Sequence, residues 1–277
     1  MLNIKLYNML IDIIDNAYPD EQYPANKFKK FYIELIPKER KTMNGRYFPD
    51  KHTIEVFNLS RPTGHILTTT IHEVSHHIDH CIRNTSDHKK EFYEIMHNML
   101  LAAMGMGIIT KDDLVTANDS SNKKNLIKYF GEVENWQYNS IKYKQDLVTF
   151  KVINCFSIKD NLKSRGYRYS TEEQAWSKDI DKKLVNEEIE YLKAIINMEN
   201  VKIIRGNEIK IEAVYYICVL KSYKYKEFLK ASGYLWNGYN KIKKNSWTKK
   251  VLAKDKELEL AKVANLEGVK IQLVSRK

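Results

Sequence analysis

The second half of this 277-residue chain repeats itself. Residues 156–169, FSIKDNLKSRGYRY, align with residues 223–236, YKYKEFLKASGYLW, so that Leu162 and Leu229, and Gly166 and Gly233, are each 67 positions apart. Trp176 and Trp247 are 71 apart, which puts four extra residues into the second copy, in the lysine-rich stretch 240–245. The Val-Lys-Ile triplets that begin at Val201 and Val269 are 68 apart, so three of those four are lost again before the last strand. Each repeated segment follows an apolar strand-like run, 147–153 or 213–220, and precedes a helical stretch, 184–196 or 252–264. The pattern predicts a β-α-β-β-α-β module of about 60 residues, built twice. Gly166 and Gly233 stand where a helix ends in the left-handed conformation, which glycine adopts at least cost. Tyr167 and Tyr169, like Tyr234 and Trp236, alternate along a strand and share a face, with Trp176 and Trp247 on the next strand. Packing a small core is the expected role of these rings. The alternative is contact with nucleic acid, because aromatics interleaved with lysines also make a base-stacking platform.

Charge follows the same division. The chain has 46 Lys and Arg against 35 Asp and Glu. Residues 141–277 hold 29 basic and 17 acidic side chains, a balance of +12, and residues 1–140 hold 17 and 18, a balance of −1. A positive field of this size favours anionic partners such as DNA. Hydrophobic residues at 43% and charged residues at 29% exclude a wholly disordered, collagen-like or disulfide-dense chain. No run approaches the roughly 20 apolar residues of a membrane span, and the N-terminus lacks the pattern of a signal peptide. Cys81, Cys155 and Cys218 are odd in number and far apart, as in a reducing compartment. A cytoplasmic protein is the expectation.

All 8 histidines fall between His52 and His97, and five of them occupy the 17 residues from His72 to His88. Within that span, His72-Glu73-Val74-Ser75-His76 is an HExxH motif in a run without Gly or Pro from Ile66 to Cys81. On a helix, positions i and i+4 lie about 40° apart, so both imidazoles reach one ion from consecutive turns. Such a pair suits zinc, and Glu73, one residue along, is placed as the general base of a hydrolytic reaction. Upstream, residues 2–16 read as an amphipathic helix with Leu2, Leu6, Met9, Leu10, Ile13 and Ile14 on one face. Residues 28–36 read as a strand, as do 46–48 and 53–57. Helices are expected over 65–81 and 89–104.

The third ligand is open between His88 and His80. His77 points about 100° away from His76, and His80 lies about 12 Å along the axis from His72 if the helix continues. Asp79 is a weaker candidate. His88 is favoured, because Asn84-Thr85-Ser86-Asp87 reads as a turn and helix cap that folds a second helix back toward the first.

The segment His72-Glu73-Val74-Ser75-His76, followed by His88-Lys89-Lys90-Glu91-Phe92, resembles the SprT-like family of zinc metalloproteases. Gly45-Arg46-Tyr47-Phe48 and Thr53-Ile54-Glu55-Val56 resemble the strand pair that precedes the family's helix. Lys89 stands where the family usually has glycine. The likeness covers about residues 25–107. It implies a zincin-like domain in which His72, His76 and His88 hold Zn2+ and Glu73 is the catalytic base. It also implies an intracellular protein substrate, bound to DNA for several family members. The repeats resemble small modules with a Gly-Phe/Tyr-x-Trp pattern attached to phage and bacterial DNA-processing enzymes.

These readings give an α+β chain. A metalloprotease domain is expected over 1–107, a linker or extension over 108–144, and α/β modules over 145–206 and 211–277. The expected function is a zinc-dependent endopeptidase with basic repeats for targeting, to DNA or to a protein. Tyr93 and His97 are the nearest candidates for a second oxyanion donor. The alternative is a non-catalytic zinc-containing binding module of phage or mobile-element type.

Overall fold

A computed structural model describes residues 4–19, 25–117, 120–170, 174–209, 211 and 213–274. Leu2, Pro24 and the Asn118-Asp119 pair lie outside the described residues. The fold is mixed α+β. It forms two compact units, one from residues 1–102, 109–137 and 210–277, the other from 103–108 and 138–209.

The first unit begins with helix α1 (Ile4–Ala17), whose Leu6, Met9, Leu10, Ile13 and Ile14 are all buried. At about 1.5–3 kcal/mol per fully buried aliphatic side chain, this face anchors the helix. The aromatic run that follows divides. Phe28 closes a single helical turn, α2 (Ala25–Phe28), and only Tyr32–Leu35 forms strand β1. The strand expected over 28–36 is therefore shorter than its apolar run. Phe28 packs edge-on to Tyr18 and Phe31 packs on Tyr7, so these rings serve α1 and leave the sheet to Ile33. Strands β2 (Gly45–Phe48) and β3 (Thr53–Val56) form an antiparallel hairpin around a turn at Pro49–Lys51. β1 joins β3 in parallel, giving the order β1-β3-β2 with β2 at an edge.

Helix α3 (Thr63–Arg83) packs under β2 and β3. It ends at Asn84, whose positive φ of 55° closes the helix as its N–H bonds His80 O. After five more residues α4 (Lys90–Gly105) runs back with Phe92, Met96, Met99 and Leu100 buried. Helices α5 (Lys111–Thr116) and α6 (Ser120–Phe130) follow, with Leu114 and Leu126 buried on them and Val133 and Trp136 buried just beyond.

In both repeats strands and helices follow one another in the order β-α-β-β-α-β, with an added helical turn in the second. In the second unit, β4 (Leu147–Val152), α7 (Lys159–Ser164), β5 (Arg168–Ser170), β6 (Ala175–Asp181), α8 (Val185–Ile195) and β7 (Val201–Arg205) form a sheet of order β5-β6-β4-β7. In the first unit, β8 (Val214–Leu220), α9 (Lys226–Ala231), β9 (Leu235–Trp236), the single turn α10 (Gly238–Lys241), β10 (Ser246–Leu252), α11 (Lys256–Ala264) and β11 (Lys270–Val274) give the matching order β9-β10-β8-β11. Gly166 and Gly233 have φ of 89° and 82°. In each case the next tyrosine N–H reaches back to the helix, Tyr167 to Leu162 O and Tyr234 to Leu229 O, both at 2.9 Å. Tyr169 lies opposite Trp176, and Trp236 opposite Trp247, so the four extra residues fall in the β9–β10 connection. One detail differs from the sequence alignment. Val152 faces Val201 and its counterpart Val219 faces Ile271, so the last strands correspond with an offset of 70, two residues beyond the Val-Lys-Ile match. A shift of two keeps the same side chains on the core face, which is why the triplet misleads.

The repeats also share a polar lock. Lys178 and Lys249 each place Nζ 5.6 Å above the ring centre of the core tyrosine, Tyr167 or Tyr234. Each lysine reaches a buried glutamate of the second helix, Glu188 at 3.6 Å and Glu259 at 2.9 Å. Within the first unit, the second repeat meets the N-terminal region through Glu39, which accepts from Tyr215 at 2.6 Å and pairs with buried Lys256 at 3.2 Å. Hydrogen bonds from these two and Ser60 outweigh the opposing effect of burial and lower the Glu39 pKa.

Candidate metal centre

Three imidazoles converge at the junction of α3 and α4. His72 and His76 project from consecutive turns of α3 with Nε2 atoms 3.1 Å apart. The chain leaves α3, turns through 84–89, and brings His88 in just before α4, with its Nε2 3.2 Å from both. An ion with ordinary zinc–nitrogen distances of about 2.0–2.1 Å and tetrahedral angles would separate its nitrogen ligands by about 3.3–3.4 Å. The triangle matches that spacing. A further observation fits a chelating set, although His72 Nδ1, unlike that of His76, is buried with no hydrogen-bond partner among the described residues. Burial, reinforced by the neighbouring imidazoles, holds His72 well below its ordinary pKa and His76 at about 4. Both rings are neutral at pH 7, the form that binds a metal.

The surroundings fix the rings. His76 Nδ1 lies 2.7 Å from Ser86 Oγ; with Nε2 turned to the centre, Nδ1 carries the proton and donates. Phe92 touches all three histidines, with ring centres 5.0 Å from His72, 4.3 Å from His76 and 5.0 Å from His88. The turn that delivers His88 is tied to α3 by Arg83, which makes two 2.7 Å hydrogen bonds to the buried Asp79 carboxylate and one of 3.1 Å to Asp87. Asp79 is thereby committed to Arg83 and is not a ligand candidate.

Glu73 is buried one residue beyond His72. The space for its side chain comes from Gly45 on β2: a Cβ there would lie 2.7 Å from Glu73 Cγ and Oε1. A small cleft lined by Asn44, Arg61, His65, Thr69, Met96 and Lys123 adjoins His72.

The other histidines have separate places. His77 is fully buried and faces away, its Nδ1 3.1 Å from Tyr47 Oη and its Nε2 3.3 Å from Lys27 O. Tyr47 Oη also meets His52 Nδ1 at 3.1 Å, and His80 packs near Tyr47 and His52. α3 continues through His80, so that ring stays on the Tyr47 side and does not reach the triangle. His97 stacks on Phe130, with ring centres 4.1 Å apart, and meets Trp136 edge-on. Tyr93 Oη donates to Asn122 and accepts from Asn125. The sequence places Ser86 in a turn, Gly45 at a strand and Phe92 on a helix without giving them a part in the site, and does not single out Arg83. Of these, the Asp79-Arg83-Asp87 spacing of four was the readable signal.

Among the described residues no helix is long and apolar enough to cross a membrane. No family model, curated protein or solved structure matches the chain.

Proposed function

We propose that the chain is a zinc-dependent endopeptidase whose catalytic domain is zincin-like, with His72, His76 and His88 as ligands and Glu73 as the general base. The observation that carries this reading is the triangle of three Nε2 atoms beside a buried glutamate seated against Gly45. A purely structural three-histidine site has no need of that glutamate. Zinc held by these three histidines would supply Lewis acidity toward a scissile carbonyl and a water made nucleophilic near neutral pH. Glu73 takes the proton from the attacking water and returns it to the leaving amine. Edge strand β2 pairs with β3 alone among the described residues, and its other side is suited to align an extended peptide by strand addition.

The likeness to SprT-like enzymes supports a protein substrate, and the C-terminal repeats, basic taken together, are read as targeting modules. The test is cleavage of a basic protein, free and DNA-bound, by wild type and Glu73→Gln. The variant keeps its zinc and loses activity by about 10²–10⁴-fold or more. Undiminished cleavage by the variant would leave a zinc-containing binding module as the better reading.

A further inference from the structure

The two repeats share a fold and differ in what they present to solvent. Residues 211–277 contain 15 Lys and Arg against 6 Asp and Glu, a balance of +9. Residues 145–206 contain 11 against 10, a balance of +1. The positive charge assigned to the C-terminal half therefore belongs mainly to its second module.

That charge gathers beside exposed rings. Trp236 is 53% exposed and pairs across the sheet with half-buried Trp247, their ring centres 5.7 Å apart. Val219 lies opposite Trp247 on the central strand, which ends one residue later, so Tyr223 emerges at the same end of the module and is 82% exposed. Lys226 Nζ lies over the Tyr223 ring at 5.5 Å. The β9–β10 connection closes directly on the tryptophan pair: Asn237 N–H donates to Ser246 O at 2.8 Å, and Asn245 N–H to Asn237 Oδ1 at 2.7 Å. This loop holds the four extra residues and carries Lys241, Lys243 and Lys244, of which Lys241 and Lys244 are exposed. In the first repeat the counterpart rings are Phe156, Tyr169 and Trp176, but the β5–β6 connection carries Glu172 and Glu173 in place of the lysines.

We infer that the second module binds single-stranded nucleic acid, with Trp236 and Tyr223 stacking on bases and Lys241 and Lys244 neutralising the adjoining phosphates. Exposed rings need an unpaired base face, which a duplex keeps inside its own stack. The lysines need a polyanion, and a strand of nucleotides offers both at short repeat. The first module, near charge balance over its sequence, offers no comparable attraction. This assignment does not rest on the peptidase reading.

The test uses the full chain and a fluorescein-labelled oligodeoxythymidylate, read by anisotropy at several salt concentrations. Wild type binds, its tryptophan fluorescence is quenched, and unlabelled single strand competes better than duplex. Trp236→Ala weakens binding roughly 5- to 100-fold, the range of one lost stacking contact. The double variant Lys241→Gln, Lys244→Gln lowers the slope of log affinity against log salt by about 1.4. Tyr169→Ala and Glu73→Gln change affinity less than about twofold, being outside the stacking and phosphate contacts. Tyr223→Ala, at a solvent-exposed position, repeats the loss if Trp236→Ala does not fold. No binding by wild type at low salt, equal competition by duplex, or unchanged affinity of both ring variants would overturn the assignment. So would an equal loss in Tyr169→Ala, or a protein partner that alone protects Trp236.

Discussion

A side chain on Gly45 would collide with Glu73: its Cβ would stand 2.7 Å from both Cγ and Oε1 of the glutamate. The edge strand thus sets where the carboxylate sits. Gly45→Ala forces one of them to move, and a displacement near 1 Å in a catalytic group costs on the order of 10²-fold in rate. The expected result is a fall of that order in peptide cleavage with zinc content unchanged. Full activity in Gly45→Ala would mean that the position of Glu73 does not matter.

Ser86 is the partner of His76 Nδ1 at 2.7 Å. Removing such an outer contact lowers metal affinity by about 10–100-fold. Ser86→Ala should show that loss in a competitive chelator titration, with thermal stability of the metal-loaded protein little altered.

Arg83 is a structural counterpart to Ser86. Its guanidinium satisfies both oxygens of Asp79, whose side chain is fully buried. Arg83→Ala leaves that carboxylate without its ion-pair partner, at a cost of about 3 kcal/mol. Chemical denaturation should report this loss. Because the same arginine holds Asp87 in the turn before His88, zinc affinity should fall with it.

Much of this organisation is readable from the chain, and what escaped has a physical reason. The repeats announce themselves because the Gly-Tyr step and the tryptophan of the next strand recur at nearly fixed spacing, and the pairing of those strands follows from them, while the last strand's register does not. The return of His88 to the side of His72 and His76 is legible because Asn84 to Asp87 makes a local turn between two periodic helices. The separate grouping of His52, Tyr47 and His77 depends on β2 and β3 crossing α3, which no local pattern states. The contact of Gly45 with Glu73 is hidden in the same way, since the two are far apart in sequence and meet only through the sheet. The aromatic run at 28–31 is ambiguous in itself; rings that pack on α1 and rings that line a strand have the same composition. The link from Glu39 to Tyr215 spans 176 positions and has no signature in the sequence.

Glu259 gives a pH dependence. Burial pushes its carboxyl up, but hydrogen bonds from Lys249 and Lys262 more than offset this and hold it below the ordinary carboxylate range. A carboxyl with a depressed folded pKa stabilises the fold above its unfolded value, about 4.3, and the contribution fades as pH falls through the folded value. Wild type should therefore lose more melting temperature than Glu259→Gln on going from pH 6 to about pH 3. Parallel acid profiles for the two proteins would show that the Lys249 lock carries no such stabilisation.

The most direct measurement is zinc content of the purified chain by elemental analysis, with single histidine replacements. About one zinc per chain is expected in wild type and in His80→Ala, with its loss from His72→Ala, His76→Ala and His88→Ala. A wild-type protein that carries no zinc and takes up none on addition would contradict it, as would stoichiometric zinc in His88→Ala with loss in His80→Ala.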